Sequence, residues 1–212
     1  MTTRLQDNRY FERCVFPTGI DALDHATGCG GLPRAAMTSL LCNDATVAYR
    51  MSLSLIRQAE TRGHNAAVVL PSERMQVAAP VFRKAGHSGA VIVKADDACL
   101  DKIQLLLKRR FGLIIFEPPL EQTGTSSRTS WKKVMQQLFG GSSVLIGLCT
   151  DRHAMSYSPQ YRSMGSWSRM VMDIKTRRND HGVLQDALLR IAHRGLVPYR
   201  SQITLPGSCF SD

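Results

Sequence analysis

The chain is 212 residues long, 43% hydrophobic, and carries a formal net charge of +10. That length suits one α/β domain with a full core, and no apolar run is long enough to cross a bilayer. The stretch Met1 to Arg13 is polar and mixed in charge, so it does not read as a secretory signal.

In chain order, residues 37–42 predict a short buried strand. Residues 47–62 predict a helix with Met51, Leu55 and Ala59 along one face, stopped by Gly63-His64-Asn65. A buried strand follows at 66–70, then an amphipathic helix at 74–85 in spite of Pro80, then a strand at 90–93. Residues 100–110 predict a helix with Ile103, Leu106 and Leu107 inward and a basic end, Lys108-Arg109-Arg110, that suits the C-terminal dipole. Strand 113–116, helix 131–139 and strand 144–148 complete an alternating pattern. Such alternation specifies a mostly parallel sheet covered on both faces. Beyond residue 165 the pattern changes. Residues 168–175 lead into a turn at 177–182, and 184–193 and 198–205 read as the strands that follow, although Leu184, Leu188 and Ile191 also permit a helix.

Six cysteines (14, 29, 42, 99, 149 and 209) are scattered without a C-x-x-C pair, and no histidine has triad or metal-pair spacing. Reduced thiols in a cytoplasmic protein are expected, with no metal site. The charge is asymmetric. Residues 1–106 carry 12 Lys/Arg against 10 Asp/Glu, and residues 107–212 carry 15 against 7. A basic second half points to a polyanionic partner such as nucleic acid.

One run stands apart: Pro17-Thr18-Gly19-Ile20-Asp21-Ala22-Leu23-Asp24, continuing to Gly28-Cys29-Gly30-Gly31-Leu32-Pro33-Arg34. It resembles the opening segment of the RecA/RadA recombinases, where this run leads into the first core strand. The resemblance implies an α/β fold of the RecA type, with a mostly parallel central sheet, helices on both faces and an antiparallel extension at the C-terminal end. It also implies a short N-terminal segment 1–16, a domain 17–206 and a tail 207–212. An active member would next show the phosphate loop G-x-x-x-x-G-K-[ST]. Here Cys42 and Val47 stand at the glycine positions, Ala48 at the lysine and Tyr49 at the magnesium-binding hydroxyl. Such a loop works by curling its backbone N–H groups onto phosphate, while its lysine and hydroxyl hold the β/γ charge and the magnesium. Val47 resists the curl, Ala48 brings no charge, and Arg50 is one place off. An ordinary strand-to-helix turn is therefore expected at 42–50, with neither ATP nor magnesium as cofactor. Glu73 ends a strand as the family's catalytic glutamate does, and Glu117 ends a strand like Walker B, an apolar run closed by an acid. Without the lysine both are expected to be vestigial, solvent-facing carboxylates.

Two segments match the family's DNA-binding loops in order. The first spans 120–130 and the second 151–162. Cations on phosphates and aromatics on bases are the means by which single strands are held. The candidate contacts are Arg128, Lys132, Lys133, Arg152, His153, Tyr157, Tyr161, Arg162, Lys175, Arg177 and Arg178. Trp131 and Trp167 read as core or rim residues, and Tyr10-Phe11 as packing on its own sheet. Within the superfamily the chain resembles the bacterial ImuA family of accessory factors in damage-inducible translesion mutagenesis. That resemblance implies a nucleoid-associated, non-catalytic protein in DNA repair or recombination. Its partners would be single-stranded DNA and RecA or a translesion polymerase-like protein, with self-association left open. Three alternatives stand beside it: a live ATPase using Arg50, Glu73 and Glu117, a cell-division inhibitor of the SulA kind acting on FtsZ, and a purely structural subunit of a complex with incidental basic charge.

Overall fold

The computed structural model describes residues 14–84, 89–95, 98–119, 128–151, 158–194 and 200–210. A two-stranded antiparallel ribbon, β1 (Val15–Phe16) with β2 (Leu32–Pro33), flanks a short helix α1 (Asp21–Ala26). The chain then enters β3 (Ala36–Cys42), α2 (Ala45–Thr61), β4 (Ala66–Leu70), α3 (Ser72–Lys84), β5 (Val91–Lys94), α4 (Cys99–Lys108) and β6 (Leu113–Phe116). It continues through α5 (Arg128–Phe139), β7 (Val144–Cys149), α6 (Pro159–Trp167), β8 (Met170–Arg178), β9 (Leu184–His193) and β10 (Arg200–Pro206) to a closing 3-10 turn, Gly207–Phe210.

Eight of these strands form one sheet in the order β10-β9-β8-β3-β7-β6-β4-β5. From β5 through β8 the neighbours are parallel, and β8, β9 and β10 are antiparallel. The fold class expected from the sequence is the one observed, a mostly parallel sheet with an antiparallel C-terminal extension, consistent with a RecA-like core. Its central strands show why the pattern was readable. Every residue of β4, β6 and β7 is buried, because helices lie on both faces. Two apolar cores result. One lies under α2 and α3 and continues beneath β8 to β10, and the other lies under α4, α5 and α6. At about 1.5–3 kcal/mol for each fully buried large aliphatic side chain, these two layers supply the main stabilising force.

Several boundaries differ from those expected: the helix at 131–139 begins at Arg128, that at 74–85 runs Ser72–Lys84, and the strand at 168–175 runs Met170–Arg178. Helix α2 starts at Ala45 rather than 47, because Asp44 caps it. Residues 159–162, expected in a binding loop, are the first turn of α6. Pro159 sits at its first positions, where a missing N–H costs nothing, and Tyr161, Met164 and Gly165 form its buried stripe. The ambiguous stretch 184–193 is a strand, alternating buried and half-buried residues against β8 and β10.

Candidate nucleotide site and basic surfaces

The opening motif is a scaffold. The backbone N–H of Thr18 donates to Asp24 Oδ1 at 2.8 Å, and Thr27 Oγ1 accepts from the N–H of Gly31 at 2.9 Å. Gly31 has φ +145, and a Cβ there would lie 2.4 Å from the carbonyl oxygen of Phe16, so only glycine fits. Arg34 donates from Nε to the Val15 carbonyl at 3.1 Å and from Nη1 to the Ser142 carbonyl at 3.2 Å. Its Nη2 lies 3.2 Å from His64 Nε2, and its guanidinium stacks 5.5 Å above the Phe16 ring. The motif thus ties the β1–β2 ribbon to the N-terminal end of the sheet.

At the opposite end of β3, where a phosphate loop would sit, the connection is only Asn43-Asp44. Val47, Ala48 and Tyr49 are already helical and buried. Asp44 Oδ1 accepts from the N–H of Val47 at 3.2 Å, and its Oδ2 accepts from Arg178 Nε at 3.0 Å. A carboxylate of the chain itself thus occupies the helix N-terminus, the place where partial positive charge would attract an anion. Asn43 Oδ1 accepts from the N–H of Thr176 at 2.9 Å, which pins the turn to β8. Arg50, offered as a stray phosphate ligand, donates to the Phe210 carbonyl at 2.7 Å and serves the C-terminal turn.

Glu117 departs from the solvent-facing carboxylate expected of it, being fully buried. Its Oε2 accepts from Tyr49 Oη at 2.8 Å and its Oε1 from Thr150 Oγ1 at 2.5 Å. Arg74 Nε lies 3.3 Å from Oε1, an ion contact without hydrogen-bond alignment. Burial raises the Glu117 pKa, while the Thr150 bond, the Arg74 charge and the Tyr49 bond pull it down without cancelling that effect. Burial and the neighbouring carboxylate push the Tyr49 hydroxyl far above its ordinary value, so it stays protonated and donates to Glu117. Arg74 is the one cation this acid meets among the described residues. The side chain at the magnesium-hydroxyl position therefore bonds directly to the acid at the Walker B position, across the space between α2 and β6. Glu73 is exposed on α3, one residue before Arg74.

The sequence-predicted DNA contacts are scattered. Lys132 and Lys133 are exposed on α5, Arg162 on α6, and Lys175 on β8. Arg177 pairs with Asp186, and Arg178 pairs with Asp44 while donating to the Gly182 carbonyl at 2.6 Å. Tyr161 leaves the set: it is fully buried, and its hydroxyl donates to the Pro118 carbonyl at 2.8 Å, so it offers no face to a base. Arg152, His153 and Tyr157, the Arg128 side chain, and Tyr10-Phe11 lie outside the described residues. Trp131 is a core residue against Phe116, and Trp167 is half-buried at the end of α6. Sequence reading missed Thr150 and Arg74 as partners of Glu117. It also passed over Arg169, Arg190, Arg194 and Arg200, whose signal was their place on one face of alternating strands.

Fold and site together describe a RecA-like α/β protein in which Tyr49, Thr150 and Arg74 gather on Glu117 and Asp44 caps α2. Comparison with known proteins agrees at the coarse level. Over 75 residues, 35% of this chain, it is 32% identical to Protein RecA of Nitratidesulfovibrio vulgaris, from both strain DP4 and strain Hildenborough. The matched stretch spans 21% of each RecA, so the likeness supports a distant RecA-like relationship and nothing finer. No protein-family model matches the chain. No described helix is long and apolar enough to cross a membrane.

Proposed function

We propose that this chain is a non-catalytic RecA-like accessory protein in DNA repair or damage tolerance, of the ImuA kind. In this reading it binds single-stranded DNA and a recombinase or translesion-polymerase partner without turning over ATP. The observation that carries the reading is the Tyr49–Glu117–Arg74 contact beside the Asp44-capped helix. A hydroxyl donates to the acid and a cation lies beside it at the positions that correspond to the family's magnesium-hydroxyl and Walker B residues. The likeness to RecA and the basic second half of the chain support the DNA side.

The test is anisotropy of a labelled single-stranded oligonucleotide over a salt series, with and without ATP and magnesium, beside a thermal melt with the nucleotide. Salt-sensitive binding that ignores ATP, with an unchanged melting point, is the expected result. A melting point raised by ATP would restore the ATPase reading. Absence of binding to single-stranded DNA would turn the assignment toward a protein-only role, such as that of a SulA-like division inhibitor.

A further inference from the structure

Among the described residues, the antiparallel extension buries one face and leaves the other open. Met170, Met172 and Ile174 of β8, with Ala187, Leu189 and Ile191 of β9, point into the core beneath α2. The alternate residues of β8 to β10 point the other way and are half-buried or exposed. A depression of about 400 Å³ lies on that outward face.

Register fixes its chemistry. Val171 lies opposite Ala192, which lies opposite Arg200, and Asp173 lies opposite Arg190, which lies opposite Gln202. The depression therefore has a small apolar floor, Val171 and Ala192, with Arg190 and Arg200 beside it and the Gln202 amide and Asp173 carboxylate within it. Arg190 Nε donates to Gln202 Oε1 at 3.2 Å, which holds that guanidinium in place. The alternation runs one step further at the N-terminal end, where the N–H of Arg194 donates to the Arg169 carbonyl. Arg194 also reaches the Gly165 carbonyl of α6 at 2.6 Å, which puts the end of that helix beside the face. Along the whole surface six cations (Arg169, Lys175, Arg177, Arg190, Arg194 and Arg200) stand against two carboxylates, Asp173 and Asp186. Much of the excess charge of the second half of the chain is thus gathered on one side of one sheet.

We infer that this open face binds single-stranded nucleic acid, one unstacked base lying on the Val171–Ala192 floor between Arg190 and Arg200 while the surrounding cations hold its phosphates. The inference rests on the DNA-binding part of the proposed function and adds its location and chemistry. A cation-rich sheet face tracks a phosphate backbone, and guanidinium planes stack on bases. Asp173 and Gln202 argue against a ligand that is phosphate alone. A carboxylate repels phosphate but accepts from the amino and imino groups on a base edge. A duplex keeps its base faces stacked away from such a floor, whereas a single strand presents them.

The test uses the full chain and labelled oligothymidylate, read by anisotropy over a salt series. Arg190→Ala/Arg200→Ala should weaken binding at least tenfold, because it removes the two guanidinium groups that flank the base. Ala192→Phe fills the floor without altering charge; it should weaken binding several-fold and leave the salt slope unchanged. Lys132→Ala/Lys133→Ala, on α5, should lose much less. Melting curves identify any variant that fails to fold, and Ala192→Phe stands as the independent probe if the double variant does. If wild type binds and both face variants bind equally well, the strand lies elsewhere; the inference falls and the DNA-binding function stands. If wild type does not bind, both fall together. Polyglutamate displacing the oligonucleotide at equal or lower concentration would assign the face to an acidic protein and overturn the inference.

Discussion

Two stretches of this chain resemble the same family, and they have had different fates. The opening motif, 17–34, keeps its glycines, its Asp24 and its Arg34, and each has a mechanical role: a capped turn, a close backbone approach, a guanidinium spanning three segments. The phosphate turn, 42–49, lacks the motif's glycines and lysine; Val47, Ala48 and Tyr49 are buried there, and Tyr49 donates to Glu117. The residues of the first stretch hold the fold together, whereas the buried residues of the second stretch belong to the core. Likeness in the first stretch is therefore information about architecture.

The largest expected effect comes from an attempt to reverse the loss. Ala48→Lys restores the missing residue type at a fully buried helical position. It should cost about 4 kcal/mol in urea unfolding, since a lysine there must be buried uncharged or force the helix open. It should also gain no heat of ATP binding in calorimetry, because the two-residue turn and the Asp44 cap are unchanged. ATP binding by this variant would mean that the turn is a dormant phosphate loop after all. Gly31→Ala probes the persistent stretch. With φ +145 and the Phe16 carbonyl in the path of the new methyl, about 3 kcal/mol should be lost, and a loss under about 1 kcal/mol would refute the scaffold account.

What was legible in the sequence follows the same division. Strands such as Val144–Cys149 and Leu113–Phe116 were readable because burial on both faces makes continuous apolar runs. The absence of a G-x-x-x-x-G-K-[ST] run at 42–49 was readable because that motif is defined by residue types at fixed spacing. What took its place was not. Tyr49 and Glu117 are 68 residues apart, and Thr150 is a further 33 away, so their meeting depends on parallel strand order that no local pattern encodes. Tyr161 was misassigned for a related reason: a tyrosine among hydroxyls and arginines looks like a base platform until helix α6 turns it inward. The basic open face was hidden because Arg169, Arg190 and Arg200 are distant in sequence and become neighbours only through the register of β8, β9 and β10.

Smaller effects separate the two parts of the closed site. Tyr49→Phe removes the donor to a buried carboxylate while keeping the ring, which packs 6.1 Å from Phe82. About 2 kcal/mol should be lost, as expected for a hydrogen bond to a charged or strongly polarised acceptor. Asp44→Ala removes a helix cap and the Arg178 pair; the cap alone is worth about 1 kcal/mol, and the exposed ion pair adds little. If the Asp44 variant proved the less stable of the two, the site would be held together at its rim rather than at Glu117.

The subtlest expectation is a difference in sign with pH. Burial holds the Glu117 carboxyl above its ordinary 4.5 in spite of Thr150, Arg74 and Tyr49. A raised acid favours the folded state while it is protonated, so its contribution is full below 4.5 and declines as pH climbs through the folded value. His64, in the opening-motif region, is shifted the other way: burial and then the Arg34 and Arg62 charges lower it from 6.5. Its contribution is present above 6.5 and is lost as pH falls toward the folded value. Urea unfolding of wild type and Glu117→Gln across about pH 4.5 to 7.5 isolates the first effect, because glutamine keeps the shape and has no titration. The stability of wild type relative to the variant should fall as pH rises from about 4.5. Parallel curves would mean that Arg74 keeps the carboxylate ionised throughout; the acid would then be a paired charge, still poised for a metal, and the closed-site account would have to be given up.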